Sequence, residues 1–401
     1  MKTKVKDPFL DKKLLDDFNS LIRSSNIFYE SSLHKNKWNL ICTVMDRLYS
    51  ATDFFNSHGQ PSDSEDNFIL FFVYACIVKD GVYTFYENIY GQKPDALNNK
   101  NFFEDTFIGN EKFFGEGRPT DDVIFEYLRS IVFAHPFETS KSKRSKRTFM
   151  EEGEIHISPW INPQYRWPGS GTDSFCIRVY TNKETPSGDI KDIRFSYESL
   201  KGYIKERYNL LKIFIDWGKD AIDSQEAEWK QTKIDRSVDT VQIIVNAKKI
   251  LNDRYIEFYD YELQLILDYL KYNSVDEKNK KVVNEIITTI QSSINEICNS
   301  VDNIDYEKLS NILEFLDWMP SNMHQYAHYQ LEKTYSYLDT DSKEIIPGSN
   351  YEWGLKQAKL FYEEYAKKYV NIDFEQMSNQ EIMLLIRASC IVGKIEQNTE
   401  Q

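Results

Sequence analysis

Cysteine is scarce in this chain of 401 residues, and long hydrophobic runs are missing. The five cysteines lie far apart and none forms a CxxC pair, which argues against a disulfide framework and a zinc knuckle and fits a reducing compartment. The longest apolar run, Phe68 to Val78, has 11 residues, which is too short to span a bilayer and is typical of a buried helix. Because no apolar segment follows the charged N-terminus, we expect no signal peptide and a soluble, cytoplasmic protein.

The chain also lacks an excess of positive charge. Its formal net charge is −14, so the protein as a whole should repel nucleic acid, and any contact with RNA or DNA must come from a local patch. A run without any acid provides such a patch; its cations are Lys141, Lys143, Arg144, Lys146 and Arg147. In isolation a charge run is typical of a solvated loop. This run, however, follows shortly after Arg129 and His135, a pair discussed below. That position makes binding to an RNA backbone an equally supported interpretation.

Several catalytic patterns are absent from the sequence. We find no Ser-His-Asp order, Cys-His pair or carboxylate dyad at an interpretable spacing, and no phosphate-binding glycine loop. His324 and His328 are one helical turn apart, a spacing that suits a metal ion. They lack the Glu of an HExxH motif and an obvious third ligand, so a tyrosine-rich surface helix is the favoured interpretation. The sequence therefore predicts neither a metal nor another cofactor.

The hydrophobic pattern predicts a mostly α protein. Apolar residues at three- and four-residue spacing predict helices near 8–24, 36–57, 66–90, 120–135, 197–223, 237–272, 280–300, 305–317, 322–338, 351–368 and 378–394. Alternating and β-branched segments between 151 and 196, separated by turn residues, predict a small antiparallel sheet of two to four strands. No internal repeat is evident, so the pattern gives no strong case for a solenoid.

This pattern divides the chain into four parts. Residues 1–150 are predicted to form a helical core, 151–196 a small β insertion, and 197–228 a helix that completes the N-terminal bundle. Residues 229–401 are predicted to form a separate C-terminal helical domain, in which we recognise no motif with a definite chemistry.

The most informative segment is Leu128 to Pro136, which reads Leu-Arg-Ser-Ile-Val-Phe-Ala-His-Pro. Arg129 and His135 supply an always-charged guanidinium and an imidazole that titrates near neutral pH, two groups suited to metal-free RNA cleavage. On a regular helix His135 lies near an apolar stripe formed by Ile124, Leu128 and Ile131. Arg129 faces another side with Glu126, so a regular helix would not point Arg129 and His135 at one spot. Pro136, however, disfavours helical geometry at His135, so the sequence neither requires nor forbids the convergence of Arg129 and His135. Two structural interpretations compete: an intrahelical Glu126–Arg129 ion pair and a packing or capping histidine.

These residues resemble the R-x(4–6)-H signature of HEPN domains, in the form found in bacterial abortive-infection and anti-phage defence proteins. The resemblance is specific over about 119–140, extends by helix count alone over the first 225 residues, and does not cover 230–401. It implies a four- or five-helix bundle that dimerises and brings two Arg/His pairs into one composite cleft. Many members are metal-independent endoribonucleases, so Arg129 and His135 would be the catalytic pair.

The resemblance also implies supporting roles and a reaction. Ser130 stands where members often have Asn, Asp or His, and its hydroxyl can still donate a hydrogen bond, while Glu126 would support Arg129. One His135 would take the proton of an RNA 2′-OH, and Arg129 would stabilise the charge on the phosphate. The expected products carry 2′,3′-cyclic phosphates, and DNA would be inert.

Three functions follow from this reading of the sequence. The first is a ribonuclease acting in defence or as a growth-arresting toxin, held in check until triggered, with an inhibitory or activating protein partner. The second is a non-catalytic interaction or RNA-binding protein whose Arg/His segment is only a signature of the fold. The third is a HEPN-type component that acts with a nucleotidyltransferase. None of the three requires a membrane.

Overall fold

The structure, a computed structural model, describes residues 8–31, 34–58, 65–108, 117–134, 155–158, 174–181, 190–317, 324–338 and 348–399. The described chain is mostly helical, which confirms the predicted fold class. It divides into two compact units, Met1–Asp223 and Ser224–Gln401. The division falls inside a helix, Leu211–Trp229, near the end of the segment that the sequence assigned to the N-terminal bundle.

The first unit contains helices and one small sheet. Its helices are α1 (Lys12–Arg23), α2 (Ile27–Glu30), α3 (Lys35–Ser57), α4 (Glu65–Tyr90), α5 (Glu104–Ile108), α6 (Asp121–Arg129), α7 (Tyr197–Tyr208) and α8 (Leu211–Trp229). Its strands are β1 (Ile155–Ser158), β2 (Ser174–Thr181) and β3 (Ile190–Ser196). The strands pair antiparallel in the order β1-β2-β3, inside the range that the alternating pattern predicted.

Helix α4 is the central helix of this unit. Its inward side chains are buried; they are Phe68, Phe71, Phe72, Ala75, Val78, Val82 and Phe85. Of the described residues, one stretch, Asp66–Tyr90, is long and apolar enough to cross a membrane by length and composition, and half of its most apolar window is buried inside the protein. The 11-residue run that the sequence analysis judged too short is thus part of a longer helix. Core helices of soluble proteins share this composition, and the packing of α4 is that of a core helix.

Helix α6 begins at Asp121, next to the start of the predicted helix 120–135. The Thr120 hydroxyl accepts a hydrogen bond from the backbone N–H of Val123, which satisfies one of the unpaired donors of the first turn. Phe125 lies between two neighbours: its ring stacks on Phe72 of α4 at 5.9 Å and on Tyr203 of α7 at 4.6 Å. These ring contacts fix the position of α6 between α4 and α7.

The sheet packs on the same core. Phe175 and Phe195 are cross-strand partners, and both rings lie against Phe68 of α4, at 5.5 and 6.2 Å. Strand β3 leads directly into α7, whose first turn is capped by the Ser196 hydroxyl. The sheet thereby positions the start of α7, the helix that carries the partners of α6.

Two predicted helices are each divided in two. The predicted helix 197–223 is interrupted at Asn209 and Leu210, between α7 and α8. The predicted helix 237–272 is interrupted after Asp253, where Tyr255 adopts a left-handed φ of 61°. There the backbone N–H of Ile256 bonds back to the carbonyl of Leu251, closing the helix end.

The second unit is entirely helical over its described residues. Its helices after α8 are α9 (Thr240–Asp253), α10 (Asp260–Lys271), α11 (Glu277–Asn303), α12 (Tyr306–Leu313), α13 (Gln325–Leu338), α14 (Asn350–Glu364) and α15 (Asn379–Thr399). Buried apolar residues from Ile234 to Val392 form one core. Arg254 is buried and donates hydrogen bonds to the carbonyl oxygens of Trp229, Thr232 and Val301, which ties the start of this unit to α11.

Candidate functional site

Arg129 ends α6 beside a group of charged side chains, the Arg129 cluster, formed by Lys79, Asp80, Glu126 and Arg129. One guanidinium nitrogen of Arg129 lies 2.9 Å from Oε2 of Glu126, one turn earlier on the same helix. The other oxygen of Glu126 accepts a hydrogen bond from Nζ of Lys79 on α4. One carboxylate therefore holds two cations from two helices. About a third of the Arg129 side chain remains exposed.

Lys79 is the buried member of the Arg129 cluster. Burial lowers the pKa of Lys79, but the hydrogen bond and charge of Glu126, together with Asp80 at 3.1 Å, outweigh it and leave that pKa above its usual value. Lys79 is therefore a fixed positive charge at neutral pH. Lys79 directly follows the apolar run Phe68 to Val78, and a cation inside the helix 65–90 was the only local signal of a role for it, because its partner Glu126 is 47 residues away.

The guanidinium of Arg129 has a donor that the described residues leave unpaired. Its Nε–H is buried and has no hydrogen-bond acceptor in the described part of the chain. Leaving a buried donor unpaired costs about 1–3 kcal/mol, more for a charged group. An incoming oxygen acceptor would recover that energy, and phosphate and carboxylate oxygens match the fork of an arginine.

The helix changes its winding directly after Arg129. Ser130–Ala134 form a π-helical turn, a widened turn that recurs at functional sites in proteins. Ser130 is half-buried, and its backbone N–H still bonds to the carbonyls of Glu126 and Tyr127. His135 lies outside the described residues, as does the basic run of Lys141, Lys143, Arg144, Lys146 and Arg147. The structure thus brings Arg129 together with Glu126 and leaves the placement of His135 as a prediction.

A buried polar network that the sequence analysis missed holds α6 in place. One carboxylate oxygen of Asp122 accepts hydrogen bonds from the Tyr203 hydroxyl and, at 3.1 Å, from the Arg207 guanidinium. Its other oxygen accepts from the Tyr83 hydroxyl at 2.8 Å. All four side chains are buried, and Arg207 lies 3.9 Å from the ring of Tyr203. No local sequence pattern predicts this network, because its members come from three helices, α4, α6 and α7.

The Asp122 network keeps its charges paired. Burial raises the pKa of the Tyr83 and Tyr203 hydroxyls, so both stay protonated and donate to the carboxylate. Arg207 supplies the opposite charge and also bonds to the carbonyl of Ala96. A satisfied network of this kind is rigid, and it anchors the helix that ends in Arg129.

Cys76 lies near the Arg129 cluster but is unsuited to nucleophilic chemistry. Burial raises the pKa of the Cys76 thiol to about 12, although the charge of Arg129 acts in the opposite direction. The thiol is therefore protonated at neutral pH, and a thiol is a poor nucleophile compared with a thiolate.

The described residues contain no group of three or more His, Cys, Asp or Glu side chains that could hold a metal ion. His324 and His328 flank the exposed Tyr326 at the start of α13, and Nδ1 of His324 accepts the backbone N–H of Tyr326. His324 is exposed and His328 is half-buried, and the exposed side of their helix carries tyrosines.

A groove of about 1050 Å³ lies between α10 and α15 in the second unit. Its charged lining consists of Asp268, Lys271, Glu381 and Arg387. Because two acids and two bases face the same groove, its lining favours no one charge class of ligand.

Comparisons of the chain with protein families, with curated proteins and with solved structures find no match. The protein is therefore classified by the fold and the site of its own structure. It is a mostly helical protein with a small antiparallel sheet, in which a partly exposed arginine ends a helix that is held by a buried polar network.

Proposed function

We propose that the chain is a HEPN-like, metal-independent endoribonuclease in which Arg129 binds the phosphate that is cleaved. One observation carries this proposal: Arg129 is partly exposed and has a buried Nε–H without an acceptor in the described residues. A phosphate oxygen would accept from Nε–H, and a second one from a terminal nitrogen, in the bidentate arrangement that lysine does not reproduce. Glu126 holds the guanidinium through one of its terminal nitrogens.

The chemistry would use the 2′-OH of the RNA itself. His135 takes the proton of the 2′-OH, whose oxygen forms a bond to the adjacent phosphorus, and the bond from phosphorus to the 5′-oxygen breaks. The leaving 5′-oxygen receives its proton from His135 of a second copy or from water. Arg129 stabilises the negative charge that builds on the phosphate oxygens. The products are a 2′,3′-cyclic phosphate and a 5′-hydroxyl.

The wider proposal concerns the setting of this reaction. The basic run at 141–147 would hold the RNA backbone without reading sequence, which makes binding weaken with salt. A homodimer would bring two copies of Arg129 and His135 into one cleft. A soluble, cytoplasmic effector of anti-phage defence or abortive infection, or a toxin, fits this activity, with an inhibitory or activating protein partner.

A second candidate function is a non-catalytic interaction protein. The ion pairs of Glu126 with Arg129 and Lys79 favour it, because a structural role for Arg129 needs nothing more than these contacts. In that case the protein would not cleave RNA, and replacing Arg129 would only lower the stability of the first unit.

The test is incubation of the purified full-length protein with total RNA and with tRNA in excess EDTA. We expect the wild type to cut RNA and to leave 2′,3′-cyclic phosphate ends, and we expect Arg129→Ala and His135→Ala to cut both substrates much more slowly. Circular dichroism of each variant serves as the control for folding. Equal cleavage by all three proteins would point to a contaminant and remove the assignment, and a folded wild type that leaves RNA intact would favour the interaction protein.

A further inference from the structure

One side of the helical pair α13 and α14 carries exposed aromatic rings. Tyr326 and Tyr329 on α13 are 46% and 37% exposed, and their rings stack at 6.3 Å with an angle of 16°. Lys333 follows one turn later, with Nζ 5.4 Å from the centre of the Tyr329 ring. The three residues are spaced by three and four positions, so they form one stripe along the helix.

Helix α14 extends this stripe. Trp353 is 41% exposed, and its indole Nε1 donates a hydrogen bond to the Tyr329 hydroxyl at 3.2 Å. Lys356 lies one turn further, with Nζ 5.4 Å from the Trp353 ring. We call these five residues the aromatic–lysine face: Tyr326, Tyr329, Lys333, Trp353 and Lys356.

A glycine allows the two stripes to meet. A Cβ added to Gly354 would lie 2.7 Å from Cβ of Tyr337 and 3.2 Å from the carbonyl oxygen of Lys333, which real side chains do not tolerate without a shift. The missing side chain lets α14 approach the backbone of α13 closely. This approach places the neighbouring Trp353 beside Tyr329, so the aromatic–lysine face is a product of the packing.

The charges around these rings are partly compensated. Lys333 is paired with Glu332 at 2.8 Å, and the carboxylate of Glu352 accepts the backbone N–H of Gly348. Lys356 is exposed and has no ion pair within the described residues. A ligand here would therefore be held by the rings first and by one or two cations second.

We propose that the aromatic–lysine face binds single-stranded RNA. The surface offers three partly exposed rings, of which Tyr329 contacts the other two, and unpaired bases can stack on such rings whatever their sequence. Lysines adjacent to two of these rings lie within reach of the phosphates of stacked nucleotides. Three large, partly exposed aromatic side chains in one patch indicate a binding surface, and cations beside rings favour a polyanion with flat bases over an apolar partner. The choice of RNA over single-stranded DNA rests on the proposed function.

The test is fluorescence anisotropy of the full-length protein with a labelled, 2′-O-methylated single strand of about twelve nucleotides at low salt. This strand cannot be cleaved by attack of a 2′-OH. We expect Trp353→Leu and Tyr329→Leu to weaken binding by about tenfold or more, and Trp353→Phe, which keeps a ring, to bind nearly as the wild type does. Phe258→Leu is the matched control, because Phe258 is 77% exposed and lies outside the face.

A charge variant tests the lysines separately. Lys356→Gln should reduce the magnitude of the slope of log affinity against log salt by about 0.7 for one lost phosphate contact, while Lys249→Gln, an exposed lysine on α9, should leave it unchanged. Thermal unfolding of each variant confirms that it is folded.

The outcomes separate this inference from the proposed function. Leucine variants that bind like the wild type, loss of binding in the Phe258 control, or equal affinity for a blunt duplex, whose paired bases cannot stack, would each overturn the inference. Strand binding that needs Trp353 in a protein that cuts no RNA supports the inference and rejects the ribonuclease. A wild type that cleaves RNA but does not bind the 2′-O-methylated strand supports the ribonuclease and rejects the inference.

Discussion

Replacing Asp122 with alanine is expected to lower the free energy of unfolding of the first unit by about 3–5 kcal/mol. Asp122 is buried, and its carboxylate is the common acceptor for Tyr83, Tyr203 and Arg207. Without it two buried hydroxyls lose their acceptor, and Arg207 keeps the Ala96 carbonyl and the ion pair with the partly exposed Glu206 but loses its buried counter-charge. Urea unfolding followed by circular dichroism, with hydrogen exchange of α6 and α7 to assign the transition, measures the change.

Two variants calibrate this effect. Tyr203→Phe removes one donor from the network and should cost only about 1 kcal/mol. Asp53→Ala removes a surface partner of Lys12, with both side chains more than half exposed, and should leave the stability nearly unchanged. An Asp122→Ala protein that unfolds at the same urea concentration as Asp53→Ala would show that the network does not hold α6.

Replacing Arg129 with alanine should lower the rate of RNA cleavage by about 10²–10³-fold, the loss typical when one charge-stabilising donor is removed from an active site. Arg129→Lys keeps the charge but loses the fork, so we expect it to recover only part of the rate. Single-turnover cleavage of a labelled RNA with enzyme in excess is the measurement.

Arg47→Ala is the control for the loss of an arginine. Arg47 is exposed on α3 of the same unit, and its replacement should leave the rate unchanged. If Arg129→Ala cleaves as fast as Arg47→Ala does, Arg129 is only half of an ion pair with Glu126. A variant that is slow and also unfolded, by circular dichroism, would instead assign Arg129 to stability.

Local features of the site were predictable from the sequence because they depend on neighbours along one helix. The predicted helix 120–135 starts at Thr120, a residue type that caps helix starts, and the pairing of Glu126 with Arg129 was one of the interpretations of their spacing. The buried stripe of Ile124, Leu128 and Ile131 follows from helical periodicity.

Features that depend on tertiary contacts were not predictable from the sequence. Lys79 binds Glu126, and Asp122 binds Arg207, across 47 and 85 residues of chain, and no local pattern encodes such a pairing. The break at Tyr255 carries no Gly or Pro, so periodicity continued through it. At that break Arg254 is buried and donates hydrogen bonds to three backbone carbonyl oxygens. Tertiary contacts such as these override the local helix propensity of the sequence.

These contacts give the proposed site a simple physical design. The Asp122 network fixes α6, and Glu126 orients the guanidinium of Arg129 at the end of that helix. The Nε–H of Arg129 has no acceptor among the described residues and is the proposed donor for a phosphate oxygen. Fixed donors of this kind stabilise developing charge without reorganising during the reaction.

The most direct test of the ribonuclease proposal compares two labelled strands of the same sequence, one RNA and one DNA, with wild-type protein in excess EDTA. We predict that the RNA is cut to fragments with 2′,3′-cyclic phosphate ends while the DNA stays intact, because only RNA carries the attacking 2′-OH. Cleavage of both strands, or RNA fragments with 5′-phosphates and free 3′-hydroxyls, would contradict the account.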